Sequence, residues 1–243
     1  MLLAIDIGNT NINFGLFNKA KLIRKFSIPT ISLSSRCLKN RLKGVKVSDA
    51  IACSVVPAAN KVLFRTLKEC GLPKPILVGK DVLVPVKNLY RRPMQVGQDR
   101  LVNALAGISL FGAPLIAIDF GTAVTFDIVS KKGAYLGGVI LPGLGISLTA
   151  LSEHTALLPD IKLSEPKELI GGDTKSSMLS GIINGFASLT DGLIDKLRRK
   201  IGKNAPVIAT GGNVALISRY CKKINNVDPD LTLKGLRLLY ESI

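Results

Sequence analysis

Three short loops carry the residue types that handle phosphate. Asp6-Ile7-Gly8-Asn9-Thr10 and Asp119-Phe120-Gly121-Thr122-Ala123 each close an apolar run, and Thr210-Gly211-Gly212-Asn213 closes a third. Glycine lets the backbone approach closely, and successive N–H groups can then point at phosphate oxygens, with Asn and Thr adding donors. An Asp cannot hold phosphate directly, because two anions repel. It fits if a cation lies between them, usually Mg²⁺ through water. One D-x-G-[NT]-T segment alone also fits a hairpin with a turn-stabilising Asp. Two copies in equivalent places, plus the Gly-Gly loop, favour phosphate binding. Neither G-x-x-x-x-G-K-[ST] nor G-x-G-x-x-G occurs, so P-loop and Rossmann readings lose support.

The elements that must position these loops can be read from periodicity. Leu2 to Ile7 is an apolar strand, Gly8 to Thr10 a turn, and Ile12, Phe14 and Leu16 alternate along a returning strand. Leu22–Ile28, Ala50–Val56, Pro75–Val78, Gly133–Leu141 and Pro206–Thr210 read as further strands. Ala58–Glu69 has helical spacing, with Val62, Leu63, Leu67 and Cys70 facing one way, and 100–110, 143–151, 174–200 and 231–240 also read as helical. Ala4-Ile5-Asp6-x-Gly8 recurs as Ala117-Ile118-Asp119-x-Gly121, an offset of 119 − 6 = 113, and each copy precedes a β-rich return strand. Two copies in 243 residues indicate duplicated halves, not a solenoid. Gly112-Ala113-Pro114 marks the expected boundary, giving halves at 1–113 and 114–243.

Composition bounds the reading. The chain has 33 Lys+Arg against 17 Asp+Glu, 47% hydrophobic residues and 21% charged ones, which is a globular composition with a net charge of +16. The charge favours anionic partners. The cations are dispersed, however, and most of the 12 aromatics (Phe 8, Tyr 4) lie in apolar runs, which argues against a nucleic-acid footprint. No apolar run reaches membrane-spanning length and MLLAIDIG has no basic leader, so neither membrane nor secretory signal is expected. Cys37, Cys53, Cys70 and Cys221 form no C-x-x-C pair, and Cys53 sits in an apolar run, which points to reduced thiols and a cytoplasmic protein. The single His154 cannot supply a multi-histidine metal site and reads as structural.

Paired phosphate hairpins in two similar halves resemble the actin-like ATPase superfamily, with its ribonuclease-H-like halves. The implied fold is α/β: two duplicated halves with mixed sheets flanked by helices. More specifically, DIGNTNINFGLF at 6–17, SVVP at 54–57, YRRPMQVGQDRLVNALAG at 90–107, IDFGTAVTFDIV at 118–129, GGVILPG at 137–143, GGDTKSSMLSGI at 171–182 and ATGGNVALI at 209–217 resemble, in order, the motifs of type III pantothenate kinase. The sequence departs from that pattern at Asp173, where the family often has Asn.

The resemblance implies phosphorylation of pantothenate by ATP to 4′-phosphopantothenate, the first step of coenzyme A synthesis. It implies that Asp6, Ile7, Gly8, Asn9, Thr10, Asn11, Ile12 and Asn13 hold ATP phosphates and Mg²⁺, with Thr122 contributing from the second half. Asp119 would bind a monovalent cation, K⁺ or NH₄⁺. Tyr90, Gly97, Gln98, Asp99 and Arg100 would line the pantothenate pocket, with Asp99 as general base. Thr174 would reach pantothenate from the partner subunit of a homodimer. The competing reading is a non-catalytic nucleotide- or nucleic-acid-binding regulatory protein of the same fold. The intact Asp6, Asp99, Asp119 and Thr122 weigh against it.

Overall fold

A computed structural model describes residues 1–243. The first phosphate-type loop joins strand β1 (Leu2–Ile7) to strand β2 (Asn11–Asn18), which turns into β3 (Lys21–Pro29). Strands β4 (Asp49–Ser54) and β5 (Ile76–Leu77) lie parallel on the other side of β1, giving the order β3-β2-β1-β4-β5. Leu3, Ile5, Ile7, Ile12, Phe14, Leu63 and Leu67 form the core under this sheet.

Helix α1 (Ser35–Leu42) and helix α2 (Pro57–Glu69) cover that core. The α1 segment, SRCLKNRL, contains three cations and was not expected as a helix from periodicity. Ser34 caps it by accepting from the Cys37 N–H, and only Leu38 and Leu42 are buried. On α2 the buried stripe is Ala59, Leu63, Thr66 and Leu67. Val62, expected on that face, is 37% exposed because it falls beside the stripe.

Helix α3 (Gln98–Phe111) leads to the second hairpin, β6 (Leu115–Phe120) and β7 (Ala123–Val129), followed by β8 (Tyr135–Pro142). Helices α4 (Leu144–Glu153) and α5 (Thr174–Ile201) follow, then β9 (Val207–Thr210), the short α6 (Val214–Ile217), β10 (Asn226–Val227) and α7 (Leu231–Glu241). The second sheet is ordered β10-β9-β6-β7-β8. Read from its other edge, this is the order of the first, with β6 in the place of β1 and β9 in the place of β4. The duplication suggested by the repeated Asp-x-Gly is therefore present in the topology, as two mixed sheets flanked by helices.

The chain forms two compact units: 1–86, 91–106 and 231–243 in the first, 87–90 and 107–230 in the second. The division thus falls inside α3 instead of at 113/114, and α7 groups with the first unit, away from its expected place in the second half. The reason is packing: α7 lies on β1, β2 and β4, and Gly235 sits against the Val102 carbonyl, where a Cβ would come within 2.6 Å. No helix is long and apolar enough to cross a membrane.

Candidate active site

In the first unit, Asp6 is the penultimate residue of β1, with Asn13 opposite it on β2 and Cys53 opposite it on β4. The Asn13 amide donates to Asp6 Oδ2 at 3.1 Å, and the Cys53 thiol donates to Oδ1 at 3.4 Å. Burial, and then the charge of Asp99, push the Asp6 carboxyl up to about 6. The loop beyond is braced from β3: the Thr30 hydroxyl donates to the Gly8 carbonyl at 2.8 Å, and the Thr30 N–H to the Thr10 carbonyl at 3.0 Å. Asn9, Thr10 and Asn11 are exposed at this braced turn. Ile7 and Ile12 are fully buried, so only their backbone can serve a ligand.

Asp99 lies in the first turn of α3, half-buried, next to the buried Arg100. The Arg100 N–H donates to Asp99 Oδ1 at 2.9 Å. Burial raises the Asp99 carboxyl above its ordinary range, opposed by that hydrogen bond and by the Arg100 charge. Gly97 leaves the space beside the Asp99 carboxylate that a side chain would fill. Gly79, at φ +84°, does the same for Gln98: a Cβ there would meet the Gln98 side chain at 2.6 Å. Four residues of the Gly97–Arg100 string are therefore held by one tight turn and one neighbouring loop. In this unit Asn13 and Cys53 bond to Asp6, and Asp99 is near enough for its charge to act on the same carboxyl.

In the second unit, Asp119 is the penultimate residue of β6, beside Thr210 of β9. Gly211, at φ +98°, backs directly onto Asp119, and a Cβ there would also strike the Phe120 N at 2.6 Å. Gly143 presses against the 121–122 turn: its N–H donates to the Thr122 carbonyl at 3.0 Å. The second hairpin and the Gly-Gly loop thus converge on Asp119. Tyr90 meets the buried Tyr135 ring at 6.5 Å between centroids, and Gly137 leaves room for the Tyr90 ring. The Tyr135 hydroxyl donates to Asp127 Oδ1 at 2.9 Å. Asp127 is a fully buried acid outside the three phosphate-type loops. The T-x-D alternation on β7 was the one available signal. Thr174, exposed, opens α5, and Asp173 is its N-cap in a reciprocal capping box with Ser176. His154 is an exposed residue at the end of α4.

The family model for type III pantothenate kinase matches residues 2–196. A type III pantothenate kinase of Syntrophobacter fumaroxidans is 41% identical over 254 residues, covering 99% of this chain and 98% of that one. The chain belongs to the type III pantothenate kinase family. Among solved structures, a Campylobacter jejuni protein assigned to the Baf family of transcriptional activators superposes with a TM-score of 0.62 at 21% identity, covering 99% of this chain and 98% of that one. An activator of 2-hydroxyisocaproyl-CoA dehydratase from Clostridium difficile, solved with bound ADPNP, gives 0.57 at 12%, covering 99% and 96%. These two likenesses concern fold alone, and they agree with duplicated ribonuclease-H-like halves. A pantothenate kinase uses ATP for phosphoryl transfer, typically with a divalent metal.

The residues present suit such a metal. No group of three or more His, Cys, Asp or Glu side chains forms a protein cage. Asp6 offers a single hard carboxylate one residue from the 8–11 turn, exposed at 9–11, which suits an ion held chiefly by phosphates and water.

Proposed function

We propose that Asp99 is the general base of an ATP-dependent pantothenate kinase, with Asp6 and the 8–13 turn serving the nucleotide phosphates. The observation that carries this reading is that Asp99, at the start of α3, lies within charge range of Asp6, both carboxyls being half-buried and that of Asp99 made more basic by burial. Phosphoryl transfer asks for positioning and charge neutralisation more than for covalent chemistry. Asp99 accepts the proton of the pantothenate primary hydroxyl as the oxygen bonds phosphorus and the γ-phosphoryl leaves ADP. Arg100 keeps the Asp99 carboxylate ionised enough to act. Mg²⁺, when bound with ATP, neutralises phosphate charge, and Asp6 would hold it through water with the exposed turn donating N–H groups to the phosphates.

In the second unit, Thr122 serves the nucleotide and Asp119 holds K⁺ or NH₄⁺, a role supported by the glycine at 211, where any side chain would strike that carboxylate. Tyr90, seated on Tyr135 in the second unit, offers an aromatic ring to pantothenate. Thr174 acts on the partner subunit of a homodimer. An exposed threonine at a well-capped helix start suits that role. The four free thiols suit a reducing cytoplasm.

An ADP-release assay with pantothenate, Mg·ATP and either K⁺ or Na⁺ tests the scheme. Asp99→Asn is expected to keep nucleotide binding and to lose about 10²–10⁴-fold in kcat. Near wild-type kcat in that variant would remove Asp99 from the role.

A further inference from the structure

The Asp6 carboxylate sits in a row of polar side chains that crosses four strands in register. Asp6 pairs with Asn13 across β1 and β2, Asn13 pairs with Ser27 across β2 and β3, and Asp6 pairs with Cys53 across β1 and β4. The Ser27 hydroxyl donates to Asn13 Oδ1 at 2.8 Å, the Asn13 Nδ2 donates to Asp6 Oδ2 at 3.1 Å, and the Cys53 thiol donates to Asp6 Oδ1 at 3.4 Å. An amide has one accepting and one donating end, so its orientation matters. With Ser27 donating to the oxygen, the nitrogen faces the carboxylate. The flipped amide would set its oxygen against Asp6, acceptor against acceptor.

The second unit offers an internal comparison. At the matching register positions Asp119 faces Thr125 on β7, Thr125 faces Ile140 on β8, and Asp119 faces Thr210 on β9. Ile140 has no hydroxyl to donate, and the Thr125 hydroxyl is turned to Asp127 at 3.4 Å. The fold therefore does not need a hydroxyl on its third strand. The row belongs to the copy whose Asp serves the nucleotide.

We propose that Ser27 is a positioning residue for Mg·nucleotide binding, acting through the Asn13 amide to fix the Asp6 carboxylate. This rests on the reading of Asp6 given above. Held from both neighbouring strands, each Asp6 oxygen has one donor from the sheet and keeps lone-pair capacity for hydrated metal. Locking a carboxylate this way removes the rotamer freedom that binding would otherwise have to freeze. Ser27 touches neither substrate nor phosphate in this scheme, and it is exposed on β3.

The test is equilibrium titration of the intact protein with AMPPNP, in Mg²⁺ and in EDTA, alongside the KM for pantothenate. Ser27→Ala is expected to weaken AMPPNP binding about 3–10-fold in Mg²⁺, the size of one lost hydrogen bond. Affinity in EDTA and the pantothenate KM stay unchanged, which also reports an intact fold. Ser27→Thr, which keeps the hydroxyl, restores the wild-type affinity. Asp6→Asn serves as the control and loses most of the Mg²⁺-dependent gain. If Ser27→Ala binds like wild type in Mg²⁺ while Asp6→Asn loses that gain, the Ser27 proposal is overturned and the Asp6 reading stands. Equal weakening by Ser27→Ala in Mg²⁺ and EDTA overturns it too, because the effect would then be structural. Wild-type behaviour of Asp6→Asn overturns the Asp6 reading itself, and the proposal with it.

Discussion

Asp6 holds its proton up to about pH 6, whereas an unperturbed carboxyl has a value of 3.8. Between those values the folded protein binds more protons than the unfolded chain, so stability falls as pH rises through that window and stays lower above it. Asp6→Asn, which cannot ionise, is expected to be more stable than wild type above about pH 6, by about 1–3 kcal/mol without ligands. The difference should vanish near about pH 4. Thermal denaturation across that range checks this, and an advantage that persists unchanged at acid pH would contradict it. Activity has the opposite preference. The raised carboxyl of Asp99 must lose its proton to act as base. The acidic limb of kcat/KM should therefore lie above the ordinary carboxylate range, with Asp6 and Asp99 titrating as a pair. A pH–rate profile reads this directly. The same burial thus weakens the free protein and strengthens the base.

At the level of elements, two glycines shape the second-unit site by what they omit. A side chain at 211 would displace the Asp119 carboxylate, and one at 143 would push on the 121–122 turn, where the Gly121 carbonyl lies 2.7 Å from the Cβ position. Asp119→Asn and Gly211→Ala are each expected to raise the K⁺ concentration needed for half-maximal activity, by about tenfold, the cost of one lost charge-assisted contact. Unchanged K⁺ dependence in both would remove Asp119 from that role. The hairpins β1–β2 and β6–β7 were legible because apolar alternation brackets small polar turns. Helix α1 was not, since its inward face amounts to Leu38 and Leu42 amid Arg36, Lys39 and Arg41. The polar row from Ser27 to Cys53 was not legible either: it joins residues on four strands whose register is a tertiary property. Asp173 looked like a departure inside a motif. In the fold it caps α5 with Ser176, a task Asn also performs. Asp173→Asn is accordingly expected to leave the melting temperature near that of wild type, and Asp173→Ala to lower it.

For the whole molecule, the proposed trans role of Thr174 makes a numerical prediction. Asp99→Asn and Thr174→Ala protomers, each nearly inactive alone, should recover activity when unfolded and refolded together. Half of the random dimers are mixed, and each mixed dimer has one intact site, so about a quarter of wild-type activity returns. No recovery would place Thr174 in its own protomer's site. The two duplicated sheets also differ at matching edges. Strand β8 exposes Leu136 and Ile140, at 41% and 61%. Strand β3 also exposes Ile23, at 49%, but flanks it with the outward Lys21, Arg24 and Lys25. An open strand edge invites a second chain to add itself by backbone pairing, and clustered like charges make that encounter repulsive. On that ground part of the +16 charge would have a use that involves no ligand, and charge-reversing Lys21, Arg24 and Lys25 is expected to increase light scattering during refolding.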